Sequence, residues 1–175
     1  MKQCGNIYLV GMMGAGKTTV GRHLAKRLGR RFVDADHEIE ARTGVRIPTI
    51  FEIEGEAGFR KRECQVIAEL AKDATLVLAT GGGVVLDPAN REVLANSGLV
   101  IYLNAPPAML FERTRHDRNR PLLRVPNPLA KIEELYAARD PLYREVAHLI
   151  VDAVPGGVTA LLAKVETEIK ARCVP

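Results

Sequence analysis

Long apolar runs are absent from this 175-residue sequence. No stretch approaches the ~20 consecutive apolar residues that a membrane-spanning helix needs. The first residues do not lead into the apolar core of a signal peptide either, because a glycine-rich segment interrupts the apolar stretch that follows them. With 47% hydrophobic and 26% charged residues, the composition is that of an ordinary soluble protein. We therefore expect a cytoplasmic protein that has no membrane partner.

Cysteine is scarce as well. The three cysteines, Cys4, Cys64 and Cys173, are odd in number, far apart and without the spacing of a metal site. A chain of this length can bury a sufficient core without disulfide bonds. We therefore expect reduced thiols, as in other cytosolic proteins.

The sequence also lacks a basic stripe with interleaved aromatic residues, which would mark a nucleic-acid surface. It carries 25 basic and 21 acidic residues, a net charge of +4, and the two signs are interleaved along the chain. A modest positive charge distributed in this way suits small anionic ligands better than a polyanion. We therefore expect no nucleic-acid partner.

What the sequence does contain is an alternation of apolar runs with amphipathic stretches, which is typical of βαβ units around a parallel sheet. No linker or repeat divides it, so we predict one α/β domain over residues 1–175, with a doubly wound five-stranded parallel sheet flanked by helices. The predicted strands are Ile7–Val10, Phe32–Asp34, Thr75–Ala79, Leu99–Leu103 and Leu149–Val151. The predicted helices are Lys17–Leu28, Glu56–Ala71, Pro88–Asn96, Pro106–Arg115, Pro128–Tyr143 and Thr159–Ala171.

The most specific motif is GMMGAGKT at residues 11–18, directly after the first predicted strand and before the first predicted helix. This is the context of a phosphate-binding P-loop. Glycine lets backbone N–H groups converge on anionic oxygens without an intervening Cβ, and the N-terminus of the following helix adds its positive dipole end. We expect Lys17 to reach the β- and γ-phosphates of a nucleoside triphosphate, and Thr18 to offer its hydroxyl to Mg²⁺. A chance glycine-rich turn is the alternative.

Two further features follow predicted strands. Asp34 and Asp36 stand at the end of the second strand, so we expect both carboxylates beside the P-loop, one serving the metal and the other the phosphate acceptor. Solvated acids at a strand end, or a helix N-cap, are the alternative for this pair. The triplet Gly81–Gly83 ends the third strand and offers backbone that a ligand can approach closely, although it could also be only a turn.

Two segments do not fit the alternation. Residues 36–63 and the arginine-dense residues 113–127 neither alternate like strands nor look like tight connections. We predict that each is an insertion over the site. Without nucleotide, the second segment should lack enough buried apolar surface to hold one conformation. Taken alone, its arginines would more readily be interpreted as a solvated basic loop.

These motifs together resemble the shikimate kinase family. In order along nearly the whole chain, the resemblance includes the P-loop, Asp34-x-Asp36, Ile50-Phe51 with Gly55-Glu56, Phe59-Arg60-x-x-Glu63, Gly81–Gly83, Arg120-Pro-Leu-Leu and Arg139-Asp-Pro-Leu-Tyr143. A P-loop by itself is shared by many nucleoside triphosphatases, whereas the combination is far more specific. No position in these motifs departs from the family's pattern.

The resemblance implies that ATP phosphorylates the 3-hydroxyl of shikimate, a step of chorismate and aromatic amino acid biosynthesis. It implies that residues 36–63 bind the substrate and that residues 113–127 form a lid. Shikimate is a small carboxylate with several hydroxyls. Its site therefore needs hydroxyl acceptors and planar cationic forks, that is, guanidinium groups that bind a carboxylate through two parallel hydrogen bonds. Arg60 and Arg139 look like the forks, and Asp36 is the candidate to orient or deprotonate the attacking oxygen.

The full set of implied roles follows from the same resemblance. The catalytic residues are Lys17, Asp36 and Arg120; the ATP contacts are Gly14, Ala15, Gly16, Lys17, Thr18, Thr19, Arg113 and Arg120, with Arg113 against the adenine. The substrate contacts are Asp36, Arg60, Gly81, Gly82, Gly83 and Arg139, and the Mg²⁺ ligands are Thr18 and Asp34, the latter through water. We expect a monomer whose partners are ATP and shikimate.

Other functions stay open at this point. Another P-loop metabolite kinase, for gluconate or a nucleoside monophosphate, would use Arg60 and Arg139 for a different anion. A GTPase-like switch is a weaker alternative, because the guanine-binding Asn-Lys-x-Asp motif is absent. Nucleic-acid binding would predict a steep salt dependence of association.

Overall fold

The computed structural model describes residues 5–173. Five parallel strands form one sheet in the order β2-β3-β1-β4-β5. This confirms the predicted fold class, and every predicted strand end lies within one residue of the observed end. The strands are β1 (Asn6–Val10), β2 (Arg31–Asp34), β3 (Leu76–Ala79), β4 (Gly98–Asn104) and β5 (Leu149–Asp152).

Helices cover both faces of the sheet, as a doubly wound fold requires. They are α1 (Lys17–Leu28), α2 (Ala35–Thr43), α3 (Ile47–Leu70), α4 (Pro88–Ser97), α5 (Pro107–Thr114), α6 (Pro128–Val146) and α7 (Gly157–Cys173). One face carries α1 and α7, which pack on each other, and the other carries α4 and α6. Within the range that the structure describes, no helix is long and apolar enough to cross a membrane.

The prediction for residues 36–63 was incomplete, because this segment is almost entirely helical. Helix α2 begins where the Asp34 side chain caps the N–H groups of Asp36 and His37, and it ends at Gly44, whose φ is 73°. Helix α3 bends at Gly55, where φ is 69° and ψ is −178°. The apolar periodicity of residues 35–43 is too weak to indicate a helix, because α2 buries only Ala35 and Ile39.

Strand β1 lies at the centre of the sheet and is fully buried. Its register pairs Leu9 with Ala79 of β3 and Val10 with Tyr102 of β4, while Asp34 of β2 also pairs with Ala79. The carboxyl ends of β1, β2 and β3 therefore meet at one edge of the sheet. The loops that follow them are brought together there, which is where open α/β sheets bind ligands.

The cysteines differ from expectation at one position. Cys64 is free, which agrees with the prediction of reduced thiols. Cys173 is disulfide-bonded, so that prediction is wrong for this residue. Cys4 lies outside the described residues.

Candidate active site

The P-loop has the backbone shape that its glycines predict. Gly16 immediately precedes α1 with φ 101°, a conformation that side chains rarely adopt, and it provides no side-chain cap for the helix. Gly14 has φ 79°, and a Cβ there would lie 2.8 Å from Cγ2 of Thr114. The N-terminus of α1 is therefore left open to an anion, as at other phosphate-binding helix ends.

Lys17 is the first residue of α1 and is only 9% exposed. Its Nζ donates to the carbonyl oxygens of Gly11 at 2.6 Å and Met12 at 2.8 Å. Burial, together with the charge of Arg120, lowers the pKa of Lys17 to about 7. The ammonium thus lies in a poorly solvated and positively charged environment. The negative charge of a bound phosphate would stabilise it there.

Asp34 caps α2, as one of the two interpretations predicts, and it also contacts Thr18. Its Oδ1 accepts from the backbone N–H groups of Asp36 (3.0 Å) and His37 (3.2 Å), so it caps α2. Its Oδ2 accepts from Thr18 Oγ1 at 2.6 Å. The two carboxylate oxygens therefore have different partners. Oδ1 caps α2, and Oδ2 forms a pair of hard oxygen atoms with Thr18 Oγ1.

Asp36 lies in the first turn of α2, rather than on the strand. Its Oδ1 is buried and has no hydrogen-bond partner. Burial raises the pKa of Asp36 above its ordinary value, and the Asp34 charge raises it further, while Arg120 and Lys17 oppose this. An unsatisfied buried carboxylate oxygen is costly, so it marks a place where a ligand hydroxyl would bind.

The glycine triplet lies directly under the charged groups. A Cβ on Gly81 would lie 2.7 Å from Glu63 Oε2 and 3.1 Å from Asp36 Oδ1, and the Arg60 guanidinium occupies the place of a Cβ on Gly83. Within residues 5–173, the N–H groups of the triplet donate to no backbone acceptor. The absence of a Cβ therefore lets the charged side chains lie close to the backbone of the triplet. It also leaves N–H donors for a ligand, as the binding interpretation requires.

The two predicted cationic forks differ in their partners. Arg60 already pairs with Glu63 (Nη1 to Oε1, 3.0 Å) and Glu56 (Nη2 to Oε1, 3.2 Å). Arg139 is 2% exposed, and among residues 5–173 no carboxylate lies within 4.0 Å of it. A buried guanidinium without a counterion is expensive, so Arg139 is the stronger candidate for the ligand carboxylate.

Sequence reasoning assigned no role to two residues of the site. Glu63 is 1% exposed, burial raises its pKa to about 7, and its Oε2 is buried without a partner. Its spacing of three residues from Arg60 on a helix was the signal that could have found it. Met13, which lies within the P-loop motif, lines the same small cavity as Arg60 and Arg139.

The second predicted insertion lies over both halves of the site. Arg120 donates from Nε to Asp117 Oδ2 at 3.0 Å, and Arg113 donates from Nη1 to the Gly14 carbonyl at 3.0 Å. A short turn at Pro121–Leu123 follows Arg120. Because Pro121 and Leu122 line the small cavity, this segment covers the acceptor side as well as the nucleotide side.

Two cavities meet at this edge of the sheet. The larger, of about 500 Å³, is lined by the P-loop together with Asp34 and Arg113, and the smaller, of about 70 Å³, is lined by Arg60, Glu63 and Arg139. Ala15 is 2% exposed and lines neither. The residues common to both cavities are Asp36, Ile47, Gly81, Gly82, Asn119 and Arg120.

The comparisons with known proteins agree with this geometry. The family model described as shikimate kinase matches residues 13–169. Shikimate kinase of Aromatoleum aromaticum is 66% identical over 164 residues, covering 94% of each chain. That of Dechloromonas aromatica is 65% identical, covering 91% of this chain and 88% of the relative.

Among solved structures, shikimate kinase from Acinetobacter baumannii in complex with shikimate superposes with a TM-score of 0.95. It is 52% identical and covers 99% of this chain and 97% of its own. The enzyme from Aquifex aeolicus superposes with a TM-score of 0.83 at 31% identity, covering 97% and 98%. The chain therefore belongs to the shikimate kinase family.

Proposed function

We propose that this chain transfers the γ-phosphoryl group of ATP to the 3-hydroxyl of shikimate, giving shikimate 3-phosphate and ADP for chorismate and aromatic amino acid biosynthesis. One observation supports this best: the P-loop cavity opens into a small cationic cavity, and Asp36 lines both. An acceptor hydroxyl at that junction would face the nucleotide phosphates. Phosphoryl transfer depends mainly on such positioning and on charge neutralisation.

On the nucleotide side, we assign the phosphates to the backbone N–H groups of residues 14–19 and to Lys17. In the structure the Lys17 ammonium is held by two P-loop carbonyls, so a γ-phosphate would exchange neutral acceptors for a charged one. Arg120 would supply the second positive charge, since it lines both cavities. Arg113, beside the Gly14 carbonyl, is assigned to the adenine end.

On the acceptor side, the shikimate carboxylate would pair with Arg139 and Arg60. Arg139 offers a fork with no protein carboxylate in reach, whereas Arg60 is oriented by Glu63 and Glu56. The ring hydroxyls would bind the unsatisfied Oδ1 of Asp36 and the free N–H groups of Gly81–Gly83. The residue types therefore match a small polyhydroxylated carboxylate.

The chemical step follows from Asp36. As the 3-hydroxyl oxygen forms its bond to the γ-phosphorus, its proton passes to the Asp36 carboxylate and the bond from the γ-phosphorus to the ADP oxygen breaks. A carboxylate whose pKa is raised by burial is a stronger base than an exposed one. Lys17 and Arg120 would balance the charge that spreads over the transferring oxygens.

The residues present fit Mg²⁺. Thr18 Oγ1 and Asp34 Oδ2 are hard oxygen donors, 2.6 Å apart beside the P-loop. Within residues 5–173 no group of three metal-ligating side chains could hold an ion alone. This suits Mg²⁺, which keeps several waters and takes phosphate oxygens as further ligands. Bound with ATP, the ion would neutralise phosphate charge.

The decisive experiment is a coupled assay of ADP formation by the purified chain with shikimate, gluconate or AMP as acceptor. We expect turnover with shikimate that exceeds the other two by at least ~10²-fold, because the chain matches the shikimate kinase family over most of its length. Equal rates with gluconate or AMP would contradict the assignment. That the enzyme is a cytoplasmic monomer of one domain stays a prediction, and light scattering tests the oligomeric state.

A further inference from the structure

The three carbonyls of the glycine triplet have different partners. The Gly81 carbonyl accepts from the backbone N–H of Val84, and that of Gly83 accepts from Leu86, both at 3.1 Å. The Gly82 carbonyl instead accepts from the hydroxyl of Tyr143 on α6. The peptide between Gly82 and Gly83 is therefore held by a side chain that is distant in sequence, and not by a backbone hydrogen bond within the turn.

Tyr143 is built to hold that carbonyl rigidly. Its side chain is completely buried, and its ring packs against the Tyr102 ring with centroids 4.9 Å apart. Burial raises the pKa of Tyr143 well above its ordinary range, so the hydroxyl keeps its proton and can donate it. A packed aromatic ring has few rotamers, so the position of its hydroxyl is well defined.

Tyr143 also lies beside the candidate carboxylate fork. Arg139 precedes Tyr143 by four residues on α6, which places the two side chains on one face of the helix. Arg139 is near enough to lower the pKa of Tyr143 against the effect of burial, and its Nη1 lies 3.4 Å from where a Cβ on Gly82 would stand. The guanidinium, the Tyr143 hydroxyl and the Gly82 peptide therefore lie together.

The hydrogen bond from Tyr143 to the Gly82 carbonyl sets the direction of the Gly83 N–H. The C=O of Gly82 and the N–H of Gly83 belong to one peptide unit, and they point to opposite sides because the peptide is trans. Holding the carbonyl therefore aims the Gly83 N–H. Glycine has the freest backbone of any residue, so without such a contact the peptide would sample several orientations.

We propose that Tyr143 is a positioning residue for the acceptor: it fixes the Gly82 peptide relative to Arg139, so that the shikimate hydroxyl at the Gly83 N–H and the carboxylate at Arg139 meet a preformed site. The inference rests on the proposed function. It assigns Tyr143 to substrate affinity and not to phosphoryl transfer, because its hydroxyl donates to the Gly82 carbonyl and the residue lines neither cavity.

The test compares Tyr143→Phe with Tyr102→Phe. Tyr102 is the other ring of the stacked pair, but its hydroxyl donates to Asn104 Oδ1 (3.1 Å) or Asp140 Oδ1 (2.8 Å), away from the triplet. For Tyr143→Phe we expect KM and Kd for shikimate to rise about tenfold, with KM for ATP and kcat within threefold of wild type. For Tyr102→Phe we expect both KM values within twofold, whatever its effect on Tm.

Several outcomes would overturn the inference. If Tyr143→Phe lowers Tm but leaves KM for shikimate within twofold, Tyr143 is only a core residue. If KM for ATP rises equally, the substitution loosens the whole site. If Tyr102→Phe raises KM for shikimate equally, ring packing and not the hydroxyl is responsible. A wild-type chain that forms no ADP with shikimate would overturn the proposed function itself.

Discussion

The two cavities are built by different means. The phosphate end of the nucleotide cavity is one continuous stretch, residues 14–19, which offers backbone donors, a helix N-terminus and Lys17. The acceptor cavity is assembled from side chains of α2, α3, α6 and residues 119–122, together with the backbone of the glycine triplet after β3. A site made of contiguous backbone forms wherever the local motif folds, whereas the second site requires the whole sheet to bring its residues together.

The two cavities also differ in how their charges are satisfied. Lys17 rests on two carbonyls and Arg60 on two glutamates, but Arg139 has no anion within reach in the described part of the chain. Ligand binding should therefore be strongest where the protein leaves a charge or a buried oxygen unsatisfied. This predicts that changes in the first cavity stop turnover, while changes in the second alter the affinity for the acceptor.

The largest effect is expected for Lys17→Ala. Turnover should fall by roughly 10³-fold or more, because the ammonium neutralises charge on the transferring phosphoryl group. The fold should persist, since the lysine donates only to loop carbonyls. Steady-state kinetics and circular dichroism measure both quantities, with the exposed Lys26→Ala of the same helix as a control. Unchanged turnover would remove the P-loop assignment.

Asp36→Asn tests the junction of the two cavities. We expect kcat to fall at least ~10²-fold, because the amide cannot accept the proton of the attacking hydroxyl. Glu38→Gln in the same helix is the matched control, since Glu38 only pairs with Arg42 at the surface. The rate of ADP formation at saturating substrates is measured. A kcat within a few-fold of wild type would demote Asp36 to binding or structure.

Arg120→Ala tests whether the predicted lid, residues 113–127, closes over both cavities when ligands bind. Arg120 is bonded to Asp117 in the structure, and phosphates would offer it stronger charge-assisted bonds. Hydrogen exchange across residues 115–124 should slow on adding nucleotide with shikimate, and the variant should lose that protection together with about 10²-fold in kcat. Arg118→Ala is the control, because that side chain lines neither cavity. Fast exchange in ligand-saturated wild-type protein would contradict the lid.

Arg139→Lys should have the smallest and most selective effect. A lysine keeps the charge but cannot form the bidentate carboxylate contact, so KM for shikimate should rise about tenfold while KM for ATP stays unchanged. Arg144→Lys, an exposed position on the same helix, is the control. An equal rise in both KM values would argue against a role confined to the acceptor.

The elements that the sequence predicts follow the same division. The P-loop, the five strands and α1 were predicted closely, because each depends on neighbouring residues: glycines at positive φ, an apolar run, or a helix that ends at Gly29 with φ 62°. Helix α2 was missed, since its apolar face is small. The N-cap interpretation of Asp34 is confirmed by its Oδ1, whereas the metal role of its Oδ2, which contacts Thr18, stays a prediction.

The position of the candidate phosphate site follows from the sequence alone, because a glycine-rich turn before a helix aims its own N–H groups whatever surrounds it. Which charges are left for the acceptor depends on the tertiary structure. Arg60 and Arg139 look alike in sequence, yet α3 supplies Arg60 with Glu63, while the described residues give Arg139 no carboxylate within 4.0 Å and place it beside Tyr143. Desolvation and pairing depend on what packs around a charge, and that is fixed only when the helices meet the sheet.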